Sequence, residues 1–525
     1  MMLARAVSHQ SSLAKGLHCF LGSPREDVWT SKVRNIQLPA GSGDLSAFPV
    51  QLQGPRPFNE IPSKGANGWM NLLHFWMENG PQYLHNRTIQ GFQQLGPIYR
   101  EKLGNTESVF IINPDDAARL FRAEGPYPER YGIPPWLAYH TYMKKPIGVL
   151  FKTSENWKRD RIFLNQFVLA LNSMDNFEPL ITPISEDFVK KIYKGIERSN
   201  QGKFTVDLSQ HLFRYAFESI CNILFGERLG LLEDFVDPRA QKFIDAVSTM
   251  FETSVPMLSI PPELFRMVRA KAWRDHVASW DVIFDRAEDY IQNFHQDKKL
   301  RSGLTDVYPG ILYSLLQKNT MNFEDVKANV TEMMAGGVDT TSMTLQWCLY
   351  EMARNQKVQD MLRAEVLAAH RDAQGDVKKM LKSVPLLKAA IKETLRLHPI
   401  AITIQRYIPS DLVLQNYMIP AKTLVQVAIF AMGKDPNFFS NPDKFDPSRW
   451  LNEDTYFRAL SFGFGPRQCL GRRIAELEMT IFLMHILENF KIEVQKLSDV
   501  GTIFNLILMP DRPIVFTFQP FKPQL

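Results

Sequence analysis

Residues 462–471 read FGFGPRQCLG, and the cysteine near the end of that run, Cys469, decides how the rest of the chain is understood. The chain has 4 cysteines, Cys19, Cys221, Cys348 and Cys469, with no C-x-x-C among them. A structural zinc site needs several ligands at close spacing, which this scatter does not supply. A disulfide framework belongs to small cysteine-dense secreted domains, and 4 cysteines in 525 residues are too sparse for one. A lone cysteine is more often a small buried hydrophobe than a ligand. Its setting here reverses that reading. Gly463, Gly465 and Gly471 allow a backbone to turn tightly and approach something flat, and Arg467 and Arg472 put positive charge on either side.

A flat buried cofactor held by one thiolate points to haem. Arg467 then suits a propionate, and backbone N–H groups near the sulfur favour its negative charge. The pattern Phe462-x-x-Gly465-x-Arg467-x-Cys469-x-Gly471 resembles the haem-binding loop of cytochrome P-450 monooxygenases. Further motifs agree in order. Glu393 and Arg396 in KETLRLHP resemble the family's E-x-x-R pair, and Arg449 in FDPSRW resembles its third partner. A helical i,i+3 pair on a surface is worth only ~0.2–0.5 kcal/mol. The resemblance implies instead a buried triad that fixes the loop under the haem, with Pro399 ending the helix behind it.

The stretch GGVDTT, residues 336–341, sits inside a run that reads as one long helix over 323–354, acidic at its start and basic at its end. Adjacent glycines each cost ~1 kcal/mol in a helix relative to alanine, so a packing kink is the plain reading. The resemblance implies more: a helix that opens over the iron, with Asp339 and Thr340 assisting proton delivery to dioxygen. It also implies that Trp157 and Arg161 in WKRDR, and Arg406 in IQRY, contact haem propionates. The fold it implies is mainly α with small β-sheets, in a single haem-thiolate domain. Short β-like runs at 108–112, 424–430, 504–508 and 514–518 fit that expectation.

PRPFNEIP, GPIYREKLGN, IPPWLAYH and GRRIAELEMTIFL are similar to the mitochondrial, sterol-acting branch of this family. That resemblance implies cholesterol as substrate, hydroxylated at carbons 22 and 20 and then cut between them to give pregnenolone. Trp136 and Gln405 are candidates for the sterol pocket, with core packing as the competing reading. No G-x-G-x-x-G or flavin segment is present, so electrons come from outside. The resemblance implies an acidic 2Fe–2S ferredoxin, reduced from NADPH by a flavoprotein reductase. Lys388 and Lys392, four apart on one helix face, are candidates for docking it, with Arg472 and Arg473 nearby. Another mitochondrial sterol or steroid hydroxylase, and a haem-binding protein without turnover, are the alternatives. Asp339 and Thr340 speak against the second, since a binder needs no proton relay.

Bulk properties set the remaining bounds. A net charge of +5, from 61 basic and 56 acidic residues, is too weak a bias for a nucleic-acid binder. No apolar run is long enough to span a bilayer. Residues 1–25 contain Arg5, Lys15 and Arg25, several serines and no acid, which describes a mitochondrial transit peptide. We expect it over residues 1–45, the boundary falling within 35–50, followed by one catalytic domain over 46–525. IPPELFRMVRAKAWR, residues 260–274, sets Leu264, Met267 and Val268 among four basic residues and reads as an interfacial segment. The expected location is the matrix side of the mitochondrial inner membrane, held peripherally.

Overall fold

The structure is a computed structural model that describes residues 54–521 except 171–172, 302–307, 452–456 and 495–498. The transit-peptide expectation for residues 1–45 lies outside the described residues. From Pro55 onward the chain forms one compact unit.

Helices dominate, as expected, around one large apolar core. The run 323–354 does not form one helix. It divides into Phe323–Gly336 and Asp339–Arg354, interrupted at Gly337 and Val338. The two glycines have different surroundings. A Cβ on Gly337 would lie 2.9 Å from Ile220, so that glycine lets the Ser209–Phe225 helix pack close, whereas a Cβ on Gly336 would meet nothing within 4 Å. The Thr340 hydroxyl donates to the Gly336 carbonyl at 2.8 Å and so satisfies an acceptor beside the break. Beyond the break, Asp339–Arg354 packs against Ser209–Phe225 and Pro385–Leu397. Pro385 suits the first turn of its helix, where Glu365 accepts from the N–H groups of Leu386 and Leu387 at 2.9 Å each.

The main sheet has four strands, in the order Ile98–Leu103, Thr106–Ile111, Leu424–Val427, Ile404–Tyr407. Its central pair is parallel, with Ser108 opposite Leu424 and Ile111 opposite Val427. A three-stranded sheet brings Phe204–Asp207 and Phe490–Val494 to either side of Val515–Pro520. Three expectations need correction. The 424–430 run stops being a strand at Val427 and turns into the short helix Ile429–Gly433. The 504–508 run is a hairpin, Thr502–Asn505 against Ile507–Pro510, because Leu506 adopts a left-handed φ of 65°. Residues 260–274 contain a short helix, Pro262–Met267, and then the start of Lys271–Arg301, separated where Arg269 has φ 48°.

Candidate active site

The cysteine loop sits between the four-stranded sheet and the helix Arg472–Asn489. The Cys469 N–H donates to the Phe462 carbonyl at 2.8 Å, and the Gly463 N–H donates to Leu460 at 2.7 Å, folding the loop back on itself. Gly463 and Gly465 have φ of 74° and 72°, conformations that glycine adopts without steric cost. Gly465 is doubly constrained, since a Cβ there would stand 2.2 Å from Glu124 Oε1. Gly471 is different: its surroundings are open, and its N–H acts on the sulfur. Burial pushes the Cys469 thiol up, while the Gly471 N–H and the Arg161 and Arg130 guanidiniums pull it down. At contact distance, however, Cys469 is exposed. Walled in by protein yet uncovered at its own surface, the side chain lies on the floor of an internal cleft.

Four arginines surround this floor. Arg130, Arg161, Arg406 and Arg467 lie close enough that the Arg467 guanidinium is pulled down to about 9, chiefly by burial and then by the other three. It remains charged at neutral pH. Its three nitrogens all donate to backbone carbonyls: Nε to Pro128 at 2.9 Å, Nη1 to Val149 at 3.4 Å and Nη2 to Lys152 at 2.8 Å. Its guanidinium stacks 4.0 Å above the Trp157 ring. Arg406 pairs with Glu124 at 2.5 Å and donates to the Phe464 carbonyl of the cysteine loop at 3.2 Å. Arg161 Nε and Trp157 Nε1 are buried donors without partners. They lie one helical turn apart on Ser154–Val168, so one face of that helix carries two unanswered N–H groups. An excess of buried positive charge, orphaned donors and a cysteine on a cleft floor fit an anionic, flat group with one axial thiolate.

Arg130 was not anticipated. It donates to the Leu150 carbonyl, is half-buried and is pulled down to about 10 by burial and then by Arg406. Glu332 was also missed. Its carboxylate accepts from the N–H groups of Gly148 at 2.6 Å and Leu150 at 2.7 Å, and burial raises it to about 7. Residues 148–152 are therefore clasped from one side by the interrupted helix and from the other by Arg130 and Arg467. Neither PERYGI around Arg130 nor VTEMM around Glu332 carries a local signal for this.

Asp339 is buried, with Oδ2 accepting from Ser248 at 3.0 Å and Oδ1 without a partner. Burial raises its carboxyl to about 7. Thr340 is half-buried beside it in sequence.

Glu393, Arg396 and Arg449 meet in one hydrogen-bonded cluster, with Glu393 and Arg396 buried and Arg449 half-buried. Arg396 donates to both Glu393 oxygens at 2.9 and 2.8 Å, and Arg449 Nε donates at 2.9 Å. The Trp450 indole and the Asp446 N–H complete the shell at 2.7 and 2.9 Å. Ser461, just before the cysteine loop, donates to the Leu395 carbonyl of the same helix at 3.1 Å, which couples triad to loop.

The other expected residues lie outside the arginine cluster, although the Gln405 carbonyl accepts from Arg406 at 2.9 Å and the Arg472 guanidinium lies 5.8 Å over the Phe462 ring. Lys388 and Lys392 are exposed on one helix, and the Lys388 ammonium donates to the Leu381 carbonyl. Arg472 pairs with Glu476 at 3.0 Å. Trp136 stands in an aromatic cluster with Phe151, Phe251 and Trp280, its indole N–H donating to Ser254 at 2.6 Å. That is core packing, and its neighbours Leu137, Ala138 and Thr141 line the adjacent cleft instead. Gln405 donates to Gln426 across the sheet at 3.1 Å.

Residues 62–518 match the model of the family described as Cytochrome P450, and the chain belongs to that family. It is 59% identical to the mitochondrial cholesterol side-chain cleavage enzyme of Homo sapiens, over 100% of this chain and 99% of that one. It is 60% identical to the enzyme of the same name from Bos taurus, over 99% of each. Among solved structures, retinoic-acid-bound cyanobacterial CYP120A1 superposes with a TM-score of 0.71 at 19% identity, covering 89% of this chain and 100% of that one, which shows the fold.

Proposed function

We propose that this chain is a haem-thiolate monooxygenase that converts cholesterol to pregnenolone by two side-chain hydroxylations, at carbons 22 and 20, and cleavage between them. The observation that carries this reading is near-60% identity over essentially the whole chain with relatives bearing that activity in their names, in a chain whose Cys469 loop has the geometry above.

Haem b, when bound, supplies dioxygen activation by electrons delivered one at a time. The chain's own residues do the rest. Cys469 would hold the haem through its thiolate, and the Gly471 N–H, Arg161 and Arg130 would stabilise that negative charge. Arg161 and Trp157, whose N–H groups have no partner, would donate to haem propionates, and Arg406 and Arg467, anchored to Glu124 and to backbone carbonyls, would add positive charge beside them. Asp339, with its carboxyl near 7, holds or yields a proton at neutral pH, as a proton relay requires. Thr340 supplies the hydroxyl beside it. Glu393, Arg396 and Arg449 position the loop and touch no reacting atom.

A cleft of about 690 Å³ lined by Thr106, Leu137, Ala138, Met257 and Trp273 falls in the ~300–1,000 Å³ range of small-molecule sites and suits the approach of a sterol. Trp136 backs this wall from the core. Gln405 is carried as a pocket candidate on resemblance alone. Exposed Trp69, Leu73 and Met77 from one helix, and Leu264, Met267 and Val268 from another segment, supply an apolar surface for peripheral contact with a bilayer. No described helix is long and apolar enough to cross a membrane. We place the mature domain on the matrix side of the mitochondrial inner membrane, after removal of a transit peptide within residues 1–45. Lys388 and Lys392 face an acidic 2Fe–2S ferredoxin, itself reduced from NADPH through its reductase.

Reconstitution with ferredoxin, reductase, NADPH and cholesterol should yield pregnenolone. A product that is hydroxylated and uncut would replace this reading with that of another sterol hydroxylase. Cys469→Ser should abolish the band at about 450 nm of the reduced carbon-monoxide complex. Retention of both band and turnover would move the ligand elsewhere.

A further inference from the structure

A second cleft, of about 650 Å³, shares no lining residue with the sterol-side cleft and none with the haem cradle. It is formed by the C-terminal turns of the Ser173–Ser199 helix, the strand Phe204–Asp207 and the first turns of Ser209–Phe225. Its walls carry Lys191, Lys194, Arg198, Lys203 and Arg214 with His211, against Glu233 and Asp234.

A run of surface cations is usually a solvated face, but the arrangement here differs at the floor. Lys191, His211 and Arg214 are half-buried, whereas Lys194, Arg198 and Lys203 stand exposed at the rim. The Lys191 ammonium donates to the Leu232 and Glu233 carbonyls at 3.1 and 3.5 Å, and Arg214 Nε donates to Gln241 at 2.9 Å. Among the described residues, no carboxylate comes within ion-pair distance of Lys191, Lys203 or Arg214. Asp234 is taken up by the rim, 3.6 Å from Arg198 and 4.0 Å from Lys194. Asp207, the nearest other acid to His211, turns its Oδ1 to Ser209 at 2.9 and 2.6 Å. The consequence is a floor whose positive charge is answered only at a distance, by Asp234 acting on Lys191. Burial lowers Lys191, with Arg214 adding to it, and burial followed by Lys191 and Arg214 lowers His211 to about 4. His211 Nδ1 is buried with no partner. Two cations that repel each other across a half-buried cleft, beside a ring nitrogen with nothing to bond, are held at an energetic cost that a bound anion relieves.

We propose that this cleft binds a phosphate-bearing anion, with Lys191 and Arg214 as its floor contacts and Arg198 and Lys203 closing over it. A phosphate group matches the donors: several acceptor oxygens, and enough charge to answer two fixed cations. The Gly195–Phe204 contact, where a Cβ would lie 2.7 Å from the ring, keeps one wall apolar and flat beside the charged floor.

The test uses the haem-loaded, full-length mature enzyme titrated calorimetrically with pyrophosphate, and by co-sedimentation with vesicles of phosphatidylcholine with or without phosphatidic acid. Saturable binding to one class of site should weaken at least about tenfold in Lys191→Gln/Arg214→Gln, the loss expected for two charge-assisted contacts. The exposed rim variant Arg198→Gln/Lys203→Gln, which leaves the floor bond to Gln241 intact, should weaken it severalfold and keeps the test decisive if the floor variant folds poorly. Lys357→Gln/Lys382→Gln, outside the cleft, should bind as wild type. Pyrophosphate binding that these variants impair identifies a soluble phosphate as the source. Cleft-dependent binding only to phosphatidic-acid vesicles identifies a lipid headgroup. Absence of both, or binding indifferent to floor and rim variants alike, overturns the proposal.

Discussion

Two buried carboxylates, Glu393 and Asp339, show how differently one chain uses the same chemical group. Glu393 accepts five hydrogen bonds, from Arg396 twice, Arg449, Trp450 and the Asp446 N–H. Asp339 accepts one, from Ser248, and its other oxygen has no partner. A carboxylate whose oxygens are filled by five donors serves to hold parts in place. A charge that is half answered is poised to exchange a proton. The difference between scaffold and chemistry is therefore written in partner counts rather than in residue type.

Replacing Glu393 should have the larger effect. Glu393→Gln leaves the buried Arg396 and the half-buried Arg449 guanidiniums without a counter-charge, a loss of about 3–5 kcal/mol by analogy with other broken buried pairs. The expected outcome is poor haem retention and a lowered urea midpoint. A variant that folds and holds haem as wild type would show that the triad does not position the loop. Asp339→Asn should instead retain haem and fold while losing coupling, so that peroxide formed per pregnenolone rises by about tenfold or more. Unchanged coupling would reduce residues 336–341 to a packing break.

The pH dependence of stability sharpens the contrast. Asp339 has a folded-state value of about 7, above its unfolded value of ~3.9. Its contribution is therefore fully present below about pH 4 and lost as pH rises through about 7. Relative to wild type, Asp339→Asn should gain stability in urea between about pH 4 and about pH 7. A difference that stays flat across that interval would mean the carboxyl is not held up by burial. The smallest effect is expected at the surface. Lys388→Gln/Lys392→Gln should slow reduction by ferredoxin severalfold at low salt and leave the sterol-induced haem spectrum unchanged. Exposed charges are screened beyond ~8 Å at physiological ionic strength, so added salt should erase the difference. Because Lys388 already spends its ammonium on the Leu381 carbonyl, Lys392 should account for more of the loss.

What could be read from residues alone was whatever a short motif carries. The loop around Cys469 and the Glu393–Arg396 pair are contiguous or one turn apart, so their spacing reports their geometry. The break at Gly337–Val338 was legible as a weakness in GGVDTT, though not as the end of one helix and the start of another. Arg130 and Glu332 were invisible because their meaning lies in residues 148–150, which they meet only in three dimensions. Trp136 stayed open between pocket and core for the same reason: an aromatic residue in a pocket-like motif reads identically whether it faces the cleft or the core. Leu506 shows a further limit, since an apolar run rich in β-formers hid a left-handed turn residue.

The parallel pairing of Thr106–Ile111 with Leu424–Val427 has a consequence for how the chain is made. The Arg56–Tyr417 hydrogen bond, spanning 361 residues, likewise ties the start of the described chain to a separate hairpin far along it. The amino-terminal hairpin therefore has no partner strand until most of the chain has been delivered, and closing so long a loop costs entropy before any contact repays it. A chain entering a compartment amino terminus first would expose an unpaired, apolar strand for most of its passage. Chaperone occupancy should thus concentrate on residues 98–111 and end only when residue 427 arrives, and truncations short of that residue should aggregate rather than fold.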